Sequence, residues 1–285
     1  MPGENWSSLA KDRLKKSKQK RKAKADLAIA AEEWMRQVKP HLFRAPTDND
    51  KGFGNWIAKD WKNQGLVQLC DSIIHPLSIE PQADGAVRAT TTMAYCTAQG
   101  YVETQYDYVM NTDGSIDFNA TFTPRGMLPP LPYLGITIAM PASQRQLTYY
   151  GRGPWDNYPD RHASTSIGLW KSTADKEYFH YPRPQDSGNH DDVAYVELTD
   201  TKGNGWRILC QEKPFSFSAL PYSVQHIYDT AHDCDLQTDS EHVYLNLDTA
   251  VLGLGNSSCG PGVLTRHAIP ETSHTLHVIF VPLGK

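Results

Sequence analysis

The chain has 285 residues, 39% hydrophobic and 21% charged, a balance that excludes a disordered polypeptide and supplies a sizeable core. No run of about 18 apolar residues occurs and no apolar segment follows the basic N-terminus, so neither a helical membrane span nor a secretory leader is expected and a cytoplasmic protein is the default. Residues 1–40 carry 11 Lys/Arg against 5 Asp/Glu, leaving 17 against 27 for the rest of a chain of net charge −4, an acidic body that argues against nucleic acid as a partner.

The first predicted element spans residues 1–38. Residues 11–24, KDRLKKSKQKRKAK, form a cationic run, and the Ala-rich stretch from Ala25 to Met35 is free of Gly and Pro. Leu27, Ile29, Ala30, Trp34 and Val38 make a partial helical stripe that Pro40 stops. No aromatic residue interleaves with the lysines, so this extension reads as a solvated, frayed helix rather than a nucleic-acid arm.

Residues 39–285 carry the grammar of an all-β protein, a large antiparallel β-sandwich. From about residue 66 the periodicity becomes alternating. Ile116–Phe122 has one apolar and one polar face, follows the turn pair Asp113-Gly114, and takes Tyr101–Val109 as its hairpin partner. Val193–Leu198 and Trp206–Cys210 flank Gly203-Asn204-Gly205. Phe215, Phe217 and Ala219 alternate with small or polar residues, His242–Asp248 follows, and Thr275–Val281 closes the series. Short strands without helical segments between them predict sheets packed face to face. The five cysteines are widely and irregularly spaced, so reduced thiols are expected rather than a disulfide framework or zinc site.

Two polar-aromatic stretches interrupt the strands, Tyr149–Arg161 (YYGRGPWDNYPDR) and Tyr181–Asp192 (YPRPQDSGNHDD). Their Gly and Pro residues suit turns, and their Arg, Asp and Asn residues suit charge-assisted hydrogen bonds. They are either rigid corners or ligand-facing surfaces.

Four collinear motifs lie in or beside such loops. They are Arg44-Ala45-Pro46-Thr47-Asp48-Asn49-Asp50; Tyr150-Gly151-Arg152-Gly153-Pro154 with Asn157-Tyr158-Pro159-Asp160-Arg161; Arg183-Pro184-Gln185 with Gly188-Asn189; and Gly253-Leu254-Gly255 followed by Cys259-Gly260-Pro261. In this order they resemble the C-terminal small-chain region of bacterial β-galactosidases of glycoside hydrolase family two, over about residues 39–285.

The resemblance implies a supersandwich of the galactose-mutarotase-like type that packs beside a catalytic (β/α)8 barrel. It implies retaining hydrolysis of terminal β-galactosides, a reaction of two carboxyl groups about 5–5.5 Å apart. In the family both are barrel glutamates, accompanied there by magnesium and sodium. This chain would then hold no catalytic residue, metal or cofactor of its own, and would be inactive without the barrel. Its partners would be that barrel and the remaining domains, the galactoside reached through that assembly, and a second copy if it oligomerises.

By the same resemblance two segments approach the substrate. A mobile loop begins at Gly52 and takes in Phe53, Asn55 and Trp56. The second segment contains Asn256, Ser258 and Cys259, where Cys259 stands at the position of a sugar-stacking tryptophan. A thiol lacks the broad apolar face of an indole, and Trp56 is the candidate replacement. The family also enters the first motif through β-strands, whereas residues 1–38 are helix-like. Either those strands are replaced or the reading frame begins inside a truncated gene.

Other candidates have blander readings. Asp48, Asn49 and Asp50 offer hard oxygen donors, but three adjacent side chains fit an Asx-rich turn held by Arg44 better than a metal cage. His190-Asp191-Asp192 reads as solvated rather than as a general base. Cys259 would need an activating histidine, and His267 is near only in sequence. Ser257-Ser258 lacks a nucleophile elbow. Arg152 and Arg161, flanking Asp156 and Asp160, suit an internal ion-pair network. A free-standing mutarotase-like epimerase would need a converging His and Glu, with Tyr244-Leu245-Asn246-Leu247 only a faint echo of its signatures. A carbohydrate-binding module would need exposed Trp. A missing barrel would leave an apolar patch.

Overall fold

A computed structural model describes residues 6–52 and 57–284, with the N-terminal helix's side chains described at Lys15, Lys22, Ala23 and from Ala25 onward. In chain order the strands are β1 (Val38–His41), β2 (Cys70–Pro81), β3 (Val87–Cys96), β4 (Gly100–Met110), β5 (Ile116–Gly126), β6 (Tyr133–Pro141), β7 (Gln146–Gly153), β8 (Ser166–Thr173), β9 (His190–Val193), β10 (Tyr195–Thr199), β11 (Gly205–Cys210), β12 (Phe215–Leu220), β13 (His242–Val251) and β14 (His274–Leu283). They form a five-stranded sheet, β1-β6-β13-β12-β9, and a nine-stranded sheet, β2-β3-β4-β5-β14-β11-β10-β7-β8. Every pairing is antiparallel, so the protein is an all-β sandwich.

Alternation in the sequence becomes two faces in space because successive strand side chains point to opposite sides. Along β4 and β5, Val102, Tyr106, Tyr108, Phe118 and Phe122 turn inward, and Ile136, Ile138, Leu245, Leu247 and Phe217 of the smaller sheet join the same core. The Asp113-Gly114 hairpin forms as expected. Ser115 donates its backbone N–H to Asp113 Oδ1 at 2.9 Å, Gly114 takes φ +86°, and Met110 opposes Ile116. The hairpin across Gly203–Gly205 also forms, pairing Thr199 with Gly205.

Three expectations change. The first concerns the N-terminal helix, α1 (Trp6–Gln37), which is 32 residues long and is not simply solvated. Ala31 and Trp34 are buried in the main core, the Trp34 ring meets Phe280 edge-on at 4.9 Å, and the Tyr108 hydroxyl donates to the Ala31 carbonyl at 2.6 Å. Ile29 lies off the buried stripe, 56% exposed. A large indole gains more by burial than the helix loses by docking, and Ala31 lets the backbone come close. The helix stops at Gln37, before Pro40, which sits in β1 opposite Ile136. On this edge strand its missing N–H costs nothing.

Two short helices also interrupt the strands beyond residue 66, α4 (Ala174–Glu177) and α5 (Val224–Asp229), while α2 (Asp48–Lys51) and α3 (Ile57–Asn63) precede that region. Finally, the two polar-aromatic stretches are partly strand. Tyr149–Gly153 belongs to β7, and His190–Asp192 to β9. Gly151 serves close packing rather than a turn, since a Cβ there would fall 2.6 Å from Val193 Cγ2.

Candidate substrate-rim site

The first motif is built around a buried guanidinium. Arg44 has no exposed surface. Its Nε and Nη2 donate to the two carboxylate oxygens of Asp50 at 2.9 and 2.7 Å. Its Nη1 and Nη2 also reach the Leu252 and Gly253 carbonyls at 2.9 and 3.2 Å, and its face lies 5.6 Å from the Trp61 ring centre. Burial opposes the Arg44 charge, but the Asp50 carboxylate outweighs it, so the guanidinium is held charged more firmly than usual. Asp50 also accepts the Thr47 N–H and hydroxyl, each at 2.9 Å, while the Thr47 hydroxyl oxygen caps the Asp50 N–H, a reciprocal box at the start of α2.

From this turn the neighbouring side chains reach the other motifs. Asn49 Oδ1 accepts the Ser258 hydroxyl at 2.7 Å and its N–H at 3.2 Å, and Asn49 Nδ2 donates to the Gly255 carbonyl at 2.9 Å. The Asp48 N–H donates to Gln185 Oε1 at 2.8 Å. Gly52 has φ +20°, and a Cβ there would meet Ser257 Cβ at 2.8 Å. Gly52 is thus packed against the 256–260 turn. Asp160 receives the N–H groups of Leu254 and Gly255 at 2.9 and 2.8 Å. Arg161 bridges Asp160 at 3.1 Å and Asn256 Oδ1 at 2.9 Å.

Four distant stretches, around residues 44–52, 160–161, 185 and 252–258, therefore form one knitted rim. Beside it lies a cleft of about 270 Å³ between Asn49, Ile57, Leu254, Ser257 and Val263. Asn157, Tyr158 and Asn189 form an adjoining knot. Asn157 Nδ2 donates to the Arg152 and Trp155 carbonyls at 3.0 Å each, and its Oδ1 accepts the Asp191 N–H at 2.9 Å. Asn189 Nδ2 donates to the Asn157 carbonyl at 2.7 Å. The Tyr158 and Tyr133 hydroxyls both donate to Asp186 Oδ2, whose carboxyl is pushed up by burial. The Asp186 N–H returns to the Ala45 carbonyl at 3.0 Å, tying this knot to the first motif.

Three candidate residues stand apart. Arg152 pairs with Asp192 at 2.8 Å rather than with Asp156, because β7 and β9 carry the two side by side. Arg183 is exposed. Cys259 is exposed too, and its thiol lies 3.8 Å from the Ser258 hydroxyl, while His267 Nε2 accepts from Arg266. Phe53, Asn55 and Trp56 lie outside the described residues. Among the described residues no three His, Cys, Asp or Glu side chains gather to hold a metal.

Two buried pairs were not legible in the sequence. His190 is fully buried, not solvated. Its Nε2 lies 2.6 Å from Glu177 Oε2, and its Nδ1 3.2 Å from the Tyr149 hydroxyl. His41 Nδ1 lies 2.8 Å from Asp248 Oδ1 and stacks on Tyr133 with ring centres 4.3 Å apart. Burial pushes the Asp248 carboxyl up to about 6. The partners are 13 and 207 positions apart in sequence, so no local spacing marks either pair.

The family described as the β-galactosidase small chain matches residues 18–280. The chain is 35% identical to β-galactosidase BgaC of Bifidobacterium adolescentis over 75% of its length and 20% of that protein. It is 30% identical to β-galactosidases of Kluyveromyces lactis and Vibrio vulnificus, over 80% and 86% of its own length and 22% and 24% of theirs. It thus spans only about a fifth to a quarter of these relatives. A copper-containing benzylamine oxidase of Hansenula polymorpha aligns over 75% of the chain and 43% of its own at 9% identity with a TM-score of 0.31, a likeness that carries no argument. An all-β sandwich matched over residues 18–280, the chain belongs to the β-galactosidase small-chain family.

Proposed function

We propose that this chain is the C-terminal supersandwich segment of a retaining β-galactosidase of glycoside hydrolase family two, supplying rim loops and packing to a catalytic barrel carried elsewhere. The observation that carries this is the knitted rim, in which Asn49, Asp160 and Arg161 hold the 252–258 turn beside Gly52. Rigid anchoring of this kind positions loops against a substrate at little entropic cost. The two glutamates of the chemistry, with magnesium and sodium, would belong to the barrel.

An exposed apolar row supports a covered face. On the outer side of the nine-stranded sheet Leu169 opposes Tyr150, and Tyr150 opposes Tyr195. Leu169 is 57% and Tyr150 44% exposed. A free mutarotase-like epimerase fits less well. Such an enzyme needs a His and a Glu facing an open sugar site, whereas His190 and Glu177 are bonded to each other and buried.

The test is hydrolysis of a chromogenic β-galactoside by the purified chain, alone and mixed with a family barrel fragment lacking this segment. Activity restored only in the mixture is expected. Turnover by the chain alone would overturn the proposal, as would failure of the mixture to form a complex or to exceed the barrel fragment by itself.

A further inference from the structure

All five cysteines carry free thiols, but two of them meet across a sheet. Cys70, the first residue of β2, is the register partner of Cys96, the last residue of β3. Directly opposed residues on antiparallel strands point to the same face, with Cα atoms roughly 4.5 or 5.5 Å apart. A disulfide takes a Cα separation of roughly 4.4–6.8 Å. The face is the outer one, since Tyr95 beside Cys96 opposes buried Val102 whereas Cys96 opposes exposed Tyr101. Cys70 is exposed and Cys96 half-buried, and the Cys96 thiol makes only a weak 4.0 Å contact to the Ala94 carbonyl, which a χ1 rotation gives up. The other three cysteines stand on separate elements: Cys210 opposite Val278 in β11, Cys234 in the turn Asp233–Asp235, and Cys259 in the rim turn.

We infer that Cys70 and Cys96 are a redox modification site that closes into a reversible cross-strand disulfide when a small-molecule disulfide such as oxidised glutathione is present. The exposed Cys70 thiolate attacks one glutathione sulfur, forming a mixed disulfide and expelling one glutathione thiolate. The Cys96 thiolate then attacks the Cys70 sulfur and expels the second. Two protein thiols are oxidised, one glutathione disulfide is reduced to two glutathiones, and the two cysteine protons pass to the released thiolates. The bond pins the start of β2, the outermost strand of its sheet, which is exposed along most of its length and slips register between Ile73 and Ser78. Edge strands of this sort fray and recruit foreign strands, so oxidation tightens the edge.

The test treats the full reduced chain with excess oxidised glutathione, quenches with an alkylating reagent, and maps peptides by mass spectrometry. The expected product is a monomer whose Cys70–Cys96 linked peptide is about 2 Da lighter than the two reduced peptides together, with neither of these thiols alkylated or glutathionylated, whereas exposed Cys234 and Cys259 carry an alkyl group or glutathione. Amide exchange along β2 should slow in this form and recover on reduction. Cys96→Ser should stop at a stable glutathione adduct on Cys70. Three outcomes would overturn the inference: five thiols that all remain alkylable, a glutathione adduct on Cys70 that persists with Cys96 present, or a disulfide-linked dimer instead of the internal bond.

Discussion

The Arg44–Asp50 pair gives the sharpest test of how the rim is held together. Arg44→Met keeps most of the side-chain volume but removes the charge, the two bonds to Asp50 and the bonds to the Leu252 and Gly253 carbonyls. Asp50 is 2% exposed, so its carboxylate would be left buried with only the Thr47 donors. Breaking one side of such a pair costs about 3–5 kcal/mol, most of it the desolvated partner rather than the attraction itself. Asp50→Asn in the Arg44→Met background removes that stranded charge. The double variant should therefore be more stable than the sum of the singles by on the order of 2 kcal/mol. Urea titration followed by tryptophan emission suits the measurement, because Trp61 lies directly under the guanidinium. A loss below about 1 kcal/mol for Arg44→Met, or strictly additive single effects, would refute a rim organised by this buried pair.

Two further outcomes follow from other parts of the structure. Trp34→Ala should cost about 3–5 kcal/mol and raise amide exchange over residues 27–37, because the indole fills the core against Phe280; unchanged exchange there would return α1 to the status of a solvated appendage. Asp248 tests pH dependence. Its folded carboxyl, raised by burial to about 6 from an ordinary 3.8, binds protons more tightly than in the unfolded chain, so its contribution is complete below pH 3.8 and is lost as pH rises through 6. The loss is on the order of 3 kcal/mol. Asp248→Asn should flatten the stability profile across that window, and equal slopes in the two proteins would argue against it.

The class of the fold and several of its hairpins are written in local sequence pattern. Alternation at Ile116–Phe122 with Asp113-Gly114 before it admits little else, because a one-residue slip would turn Phe118 and Phe122 out to water. The Arg44-held turn was equally local, since Thr47 and Asp50 cap the same short helix. Everything that depends on contacts between distant strands comes from the folded whole. β14, the last strand, inserts between β5 and β11, and no local pattern states that register. Trp34 belongs to a weak helical stripe whose core partner, Phe280, lies far along the chain, and His190 sits in a polar stretch that only β9 carries into the core against Glu177. Cys70 and Cys96 are 26 positions apart and became neighbours only through the β2–β3 ladder. Periodicity reports which face a residue prefers, because burial of apolar surface is a property of each side chain. Partners are fixed by closure of the whole sandwich, where the same inward face can meet several others and only mutual packing selects one.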